Sequence, residues 1–233
     1  MMDNSFGKIK DISCVMEHFA DGMTVMFGGF GGVGTPPSII DAMIEKNLRH
    51  LTLIGNDAGF PHIGIGKVVS RGMADRLIAS HIGSNPVAGK LLTAGKLTVE
   101  FSPQGTLAER IRAGGVGIPA FLSDIGMDNE WVAGQKEICV IDGKSYLIET
   151  ALTAEVSIVY AKKADPFGNL IYDKSARNTN PLVAMAGNVT IAEVEEIVPL
   201  GDIKPYEVVT PGVFVDYIVP SEGVNWKWAW QTP

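Results

Sequence analysis

The sequence predicts an α/β protein, a mostly parallel sheet flanked by helices and carrying an inserted β-hairpin. Three observations support this. Short apolar runs alternate with segments of helical spacing from residue 23 to residue 112, the order of successive βαβ units. The first two runs read as buried strands, and the helical connection between them has about the length that a right-handed crossover requires. Further on, Asp142-Gly143 sits between the runs 136–141 and 144–148, the strongest hairpin signal in the chain.

Residues 1–12 are polar and predict no element. Ser13 is placed to cap a short helix carrying Val15, Met16 and Phe19, which ends at Asp21-Gly22. The run 23–27 reads as a first buried strand. It empties into five glycines within residues 28–34, followed by Pro36 and Pro37. Ile39, Ile40, Met43 and Ile44 then recur at helical spacing. A second buried strand, 51–55, ends at Asn56-Asp57, and the connection between the two strands has the length of a right-handed crossover. Residues 63–70 form a glycine-led helix pattern, 76–82 a third strand, 86–93 a helix and 97–101 a fourth strand. Pro103 suits the first turn of a helix whose buried face is Leu107, Ala108 and Ile111.

Beyond this point residues 113–119 read as a loop, and 126–134 hold no clear period. Residues 155–162 are β-rich, 169–172 make a short strand after a turn at 165–168, 179–187 form a helix, and 189–194 and 213–219 are strands. No internal repeat or charged linker divides the chain, so residues 1–220 read as one domain. Residues 221–233 read as an aromatic tail. Trp226, Trp228 and Trp230 recur at period two, which puts three rings on one face of an extended strand. That face packs either on the parent domain or on another subunit, since aromatic rings are favoured in interface cores.

At 233 residues, 46% hydrophobic and 19% charged, the composition is that of a globular protein rather than a disordered one. The net charge of −7, without a basic stripe, gives no reason to expect nucleic acid. Cys14 and Cys139 lie in no metal or redox spacing, and His18, His50, His62 and His81 do not pair at ligand spacing. Structural or solvated roles are expected for the histidines, and no metal site. No signal peptide or membrane-length apolar run is present, so a soluble, cytoplasmic protein without a membrane partner is expected.

The strand–loop–helix corner at residues 28–34 invites a ligand. Five glycines so close together mark positive φ or direct contact of the backbone with a bound group. Gly29, Gly31 and Gly34 satisfy G-x-G-x-x-G between a strand and a helix, with Asp57 at the end of the next strand, which is the pattern of a dinucleotide-binding dehydrogenase domain. Pro36 and Pro37 count against that reading, because proline removes N–H donors where a phosphate-binding helix should begin. So does the ring of Phe30, in a loop that pyrophosphate must approach closely. A tight turn without a ligand is the remaining structural alternative.

The corner also carries a resemblance. Asp21-Gly22, an apolar run and Gly-Gly-Phe-x-x-x-Gly-x-Pro resemble the signature of the first (α, or A) subunit of family I coenzyme A transferases. Further segments follow in family order: Asn56-Asp57, Ala79-Ser-His-Ile-Gly-Ser-Asn-Pro86, Ser102-Pro-Gln-Gly-Thr-Leu-Ala-Glu-Arg-Ile-Arg-Ala-Gly-Gly115, Ser175-Ala-Arg-Asn178 and Val209-Thr-Pro-Gly212. The likeness runs from about Asp11 to Val219. It is greatest to the A subunits of bacterial acetate/butyrate–acetoacetate (3-oxoacid) CoA-transferases.

The resemblance implies the CoA-transferase fold and a ping-pong transfer of CoA from an acyl-CoA to a carboxylate through a glutamyl-CoA thioester. Coenzyme A thioesters are then substrates, with no tightly bound cofactor. In the family the glutamate belongs to the second (B) subunit, in a Ser-Glu-Asn-Gly motif that this chain lacks, so a B-subunit partner and an α2β2 assembly are implied. Glu100 is the one glutamate here in a comparable setting, and it reads as a partly buried acid near a helix N-terminus. Gln104 matches the family residue that supports the substrate carboxylate or oxyanion; its other reading is a helix cap. Gly28, Gly29, Phe30, Gly31, Gly32, Val33, Gly34 and Asn56 match positions near the thioester end of CoA. Asp57 stands where single-chain relatives have a second asparagine, which removes a donor there. Arg110 and Arg112 read as solvated surface. A scaffold subunit without ligand contacts is a further alternative.

Overall fold

The computed structural model describes residues 4–134 and 136–227. A single-turn helix, α1 (Ile12–Val15), leads into β1 (Thr24–Phe27), and three crossovers follow. They run through α2 (Pro37–Glu45) to β2 (Leu51–Ile54), through α3 (Gly66–Ser70) to β3 (Ala74–Ala79), and through α4 (Pro86–Thr93) to β4 (Thr98–Phe101). Next come α5 (Gln104–Gly115), β5 (Ala120–Ser123), α6 (Glu130–Ala133), β6 (Ile138–Ile141) and β7 (Lys144–Thr150). The chain closes with β8 (Ala154–Ala164), β9 (Leu170–Ile171), α7 (Asn180–Met185), β10 (Gly187–Ile197) and β11 (Tyr217–Pro220).

The main sheet has the order β11-β10-β8-β1-β2-β3-β4, every neighbour parallel, with β9 added antiparallel to the far end of β8. Its two faces explain the apolar residues on both sides of the central strands. Val25, Phe27, Leu53, Leu77 and Ile158 meet Ile39, Ile40 and Met43 of α2 and Val68 and Val69 of α3. The alternate residues Met26, Ile54, Ile78, Val159 and Ala161 meet Leu107 and Ile111 of α5 and Val183 and Ala184 of α7. With period-two side chains buried on both sides, a strand must be apolar at every position.

The expected elements appear with a few differences. Asp11 rather than Ser13 precedes α1, and no side chain caps it. The last strand is shorter than residues 213–219, because a 3-10 turn, Gly212–Phe214, comes before β11. Residues 113–115 are the last turn of α5 and not loop. Glycine is required there by closeness: a Cβ on Gly114 would lie 2.0 Å from the Leu152 carbonyl oxygen, and one on Gly115 would lie 2.6 Å from Met185 Cβ. The hairpin turns at Asp142 and Gly143, both with positive φ, and gains a third strand to become an antiparallel sheet of order β5-β7-β6. Residues 221–227 form no strand; the Lys67 ammonium lies 5.6 Å from the centre of the Trp226 ring, and Trp228 and Trp230 fall outside the described residues.

Arg110 departs most from its sequence reading. Far from being solvated, its side chain is 4% exposed. Its Nε donates to the Thr150 carbonyl at 2.8 Å and Nη1 to Glu100 Oε1 at 2.8 Å, while Glu149, wholly buried, lies 3.7 Å away and also receives Lys136 Nζ. This cluster fastens the small sheet to β4 and α5. Arg112 does sit at the surface, paired with Glu109. Burial alone would raise the Glu100 carboxyl, but hydrogen bonds and charge from Arg110 and Arg76 outweigh it and hold Glu100 below the usual carboxylate range.

A carboxyl lowered in this way contributes stability that is complete above its unfolded pKa, about 4.3, and is lost as pH falls through the depressed folded value. The urea midpoint is therefore expected to drop as pH is lowered below about 4. Glu100→Gln should flatten that acid limb, and an unchanged limb in the variant would remove Glu100 as its source.

Candidate active site

Parallel strands deliver their following loops to one edge, and here the carboxyl ends of β1 to β4 place residues 28–34, 55–60, 80–84 and 102–104 side by side. The first loop is a minimal hairpin: Phe30 and Val33 exchange two backbone hydrogen bonds, each 3.0 Å. Asn178 clamps its base, accepting from Gly29 N at 3.1 Å and donating to the Val33 carbonyl at 2.9 Å. Asn180 donates to the Gly34 carbonyl at 2.9 Å. Several of the glycines serve this packing. A Cβ on Gly28 would fall 1.8 Å from Asn180 Oδ1, on Gly29 1.9 Å from Thr35 Oγ1, and on Gly34 2.3 Å from the Ala176 carbonyl. Of the predicted loop residues, Phe30, Gly31 and Val33 line the cleft; Gly28, Gly29, Gly32 and Gly34 do not.

The loop after β2 repeats the device. Phe60 and Ile63 form a bridge like that of Phe30 and Val33. The sequence echo is Gly-Phe-x-x-Val-Gly at residues 29–34 and Gly-Phe-x-x-Ile-Gly at 59–64, a short internal similarity that the reading of the sequence as free of repeats passes over.

Asp57 joins the two fingers. Its Oδ2 accepts from Gly31 N at 2.8 Å and its Oδ1 from Gly59 N at 2.8 Å. Oδ2 also accepts from Asn56 Nδ2 at 2.8 Å. Three N–H donors offset the cost of burying this carboxylate. The residue thus acts as an acceptor that sets loop spacing and donates nothing to a ligand.

Asn56, oriented by Asp57, offers Oδ1 to Gln104 Nε2 at 3.0 Å and to Ser80 Oγ at 3.2 Å. Gln104 opens α5 but caps nothing. Its second amide N–H and its Oε1 have no hydrogen-bond partner among the described residues. Together these groups border a cleft of about 460 Å³ lined by Phe30, Gly31, Val33, Asn56, Asp57, Phe60, Ser80, His81, Ser84 and Gln104. Ser80, His81 and Ser84 lie in the segment 79–86 that carries the resemblance, though none was given a role there, and Phe60 was not singled out. His81 is exposed, and its Nε2 accepts the Ser84 N–H at 3.2 Å. The loop echo is the signal that could have found Phe60. Among the described residues no cluster of His, Cys, Asp and Glu is arranged to hold a metal ion.

The start of α2 excludes a dinucleotide. Pro37 is its first residue, and the next two N–H groups, of Ser38 and Ile39, donate to Glu193 Oε2 at 2.9 and 3.1 Å. Ser38 and Ser221 hydroxyls donate to Glu193 Oε1. Burial pushes the Glu193 carboxyl up, against those hydrogen bonds. A helix N-terminus occupied by the protein's own carboxylate has no donors left for pyrophosphate. The dehydrogenase alternative is therefore set aside. Glu100 lies outside the cleft, held by Arg76 and Arg110.

Comparison with known proteins agrees. Residues 11–221 match the coenzyme A transferase family. The chain is 57% identical over 226 residues, 97% of its length and 99% of the relative's, to a probable coenzyme A transferase subunit alpha of Bacillus subtilis (strain 168). It is 45% identical over 212 residues, 91% of its length and 97% of the relative's, to the acetoacetyl-CoA:acetate/butyrate CoA transferase alpha subunit of Clostridium acetobutylicum. In structure it resembles an acyl-CoA transferase of Escherichia coli O157:H7 solved as a thioester complex with CoA, with a TM-score of 0.83 at 22% identity. That superposition covers 94% of this chain and 48% of the other, so the chain spans about half the length of that transferase.

The Asp57 tie is open to test. Asp57→Ala is expected to speed amide exchange at Gly31 and Gly59 together, by roughly tenfold or more for the loss of a charge-assisted hydrogen bond at each. Acceleration at one loop alone would show that the loops are held independently.

Proposed function

The chain belongs to the coenzyme A transferase family, and from that premise we propose that it is the A (alpha) subunit of a short-chain acyl-CoA:carboxylate CoA-transferase. Acetyl- or butyryl-CoA with acetoacetate or acetate are the proposed substrates, and the Clostridium relative's name supports that choice. The catalytic glutamate is proposed to come from a B subunit, in an α2β2 assembly in the cytoplasm. Among the described residues no helix is long and apolar enough to cross a membrane.

The observation that carries the reading is the Gln104–Asn56 pair at 3.0 Å, beside a carboxylate already engaged by three N–H donors. In the proposed scheme a glutamate oxygen attacks the thioester carbonyl, the C–S bond breaks, and an acyl-glutamyl anhydride and CoA thiolate result. The thiolate attacks the glutamyl carbonyl, releasing the first carboxylate and leaving glutamyl-CoA. The second acid reverses these steps. Each tetrahedral stage develops an oxyanion that needs fixed donors. The uncommitted N–H of Gln104, held in place through Asn56, is proposed as one of them. Phe30, Gly31 and Val33 are proposed as the wall beside the thioester, and Gly28, Gly29, Gly32 and Gly34 as the residues that shape it. Thioester and carboxylate suffice for this chemistry without a tightly bound cofactor.

Two measurements test the proposal on the co-expressed complex. After incubation with acyl-CoA alone, intact-mass spectra are expected to show a CoA adduct on the partner subunit; an adduct on this chain, at Glu100 for instance, would overturn the assignment of the nucleophile. Gln104→Ala is expected to lower kcat by roughly 100- to 1,000-fold with little change in unfolding midpoint. Wild-type turnover in that variant would remove Gln104 from the site.

A further inference from the structure

The reaction cleft holds an imidazole that the scheme above does not use. His81 lies just beyond β3 and on the lining of the cleft. Its backbone bridges that of Asp57, and its carbonyl accepts from Ala58 N at 3.1 Å. The turn that follows folds back under the ring, so that the Ser84 N–H donates to Nε2 at 3.2 Å. Gly83 makes room for this, since a Cβ there would lie 2.9 Å from His81 Cε1. Ser84 Oγ in turn donates to the Gly59 carbonyl at 2.8 Å, which ties the holder of the ring to the second finger.

These contacts decide what the ring can offer. A neutral imidazole that accepts at Nε2 carries its proton on Nδ1, and the tautomer is assigned here from that hydrogen bond. His81 is exposed, and its Nδ1 has no hydrogen-bond partner among the described residues. The serine hydroxyls of the lining already donate elsewhere, Ser80 to the Asn56 carbonyl at 2.7 Å and Ser84 to Gly59. The described lining includes the Asp57 carboxylate and no lysine or arginine. An acid entering this cleft therefore needs neutral donors in place of the water it loses. It attacks through one oxygen and keeps a second, and the free N–H of Gln104 is already assigned to the carbonyl under attack.

Resting on the reading of this cleft as a CoA-transferase half-site, we propose that His81 binds substrate, its Nδ1–H holding the non-attacking oxygen of the free acid. No proton leaves the ring, and no bond to it forms or breaks. That oxygen is anionic in the bound acid, whereas in the acyl-CoA it is the neutral thioester carbonyl, a weaker acceptor. Gln104 and His81 then differ in kind. The first acts on charge that develops during transfer, the second on charge that the acid brings with it.

The test takes the co-expressed complex through its two half-reactions. It is loaded with acetyl-CoA, freed of small molecules and discharged with acetate, and the CoA adduct is followed by intact mass. In His81→Ala the acetate concentration for half-maximal discharge is expected to rise roughly tenfold, the worth of one hydrogen bond to a charged oxygen, with the saturated rate little changed. Loading is the reverse of discharge, so its saturated rate is expected to fall by the same factor, at an unaltered half-saturating acetyl-CoA concentration. His81→Asn, whose amide nitrogen can stand where Nδ1 stood, is expected to recover most of the affinity. His81→Gln, which reaches toward the place of Nε2, is not. Unchanged discharge in His81→Ala would overturn the proposal. So would a rise in both half-saturating concentrations, the mark of a displaced finger, or equal rescue by both amides. A slower saturated discharge at unaltered half-saturation would place the ring with Gln104 on the developing oxyanion and equally overturn it. If the wild-type complex takes up CoA on neither chain, the CoA-transferase reading itself fails, an outcome distinct from unchanged discharge of a loaded complex.

Discussion

One buried carboxylate sets the geometry on which the candidate site depends. Asp57 stands just beyond β2, its backbone bridged to His81 after β3, and it receives the N–H groups of Gly31 and Gly59 from two different loops. A charged acceptor in a poorly solvated place binds its donors tightly because each lost contact would leave charge uncompensated. The same carboxylate receives Asn56 Nδ2, which turns Asn56 Oδ1 toward Gln104. Loop spacing and amide orientation thus share one cause. Asn85, at the N-cap of α4, adds a second restraint, donating to the Ala58 carbonyl while accepting the first N–H groups of that helix.

The arrangement at α2 is complementary. In a nucleotide-binding crossover the helix N-terminus points its donors at phosphate, and here Glu193 from the neighbouring part of the sheet accepts them. A sheet order suited to a ligand at its carboxyl edge is retained, while the usual anion site at that edge is filled from within. What stays available is backbone, the rings of Phe30 and Phe60, the His81 imidazole, serine hydroxyls and neutral amides. Such a surface suits a thioester and a developing oxyanion better than a polyphosphate.

Much of this architecture was legible in the sequence, because burial of both sheet faces makes the central strands rich in apolar residues and each crossover helix amphipathic. The strand ends at Phe27, Ile54 and Phe101 were marked by glycine, Asn-Asp and Ser-Pro. Gln104 and Asn56 were found through resemblance, and their 3.0 Å contact could not be read from residues 48 positions apart. Arg110 was misread because a helix with two arginines one turn-fraction apart shows charge, not which of them a distant strand will cover. The buried partner, Glu149, lies on β7, far along the chain in the small sheet. The glycines at 28, 29 and 34 were read as ligand contacts, yet their neighbours Asn180, Thr35 and Ala176 explain the missing side chains. Close approach within a chain and close approach to a ligand leave the same mark in a sequence.

The paired fingers separate two kinds of information. Each finger's shape comes from its own bridge, Phe30 with Val33 and Phe60 with Ile63, while the gap between them comes from Asp57. In the second finger the turn positions are Pro61 and His62, the latter exposed. Substitution there changes the chemistry at a fingertip without disturbing the frame, whereas substitution at 57 disturbs both fingers at once. Variation and constraint are thereby assigned to different codons a few positions apart. A scaffold divided in this way separates fingertip chemistry from finger spacing.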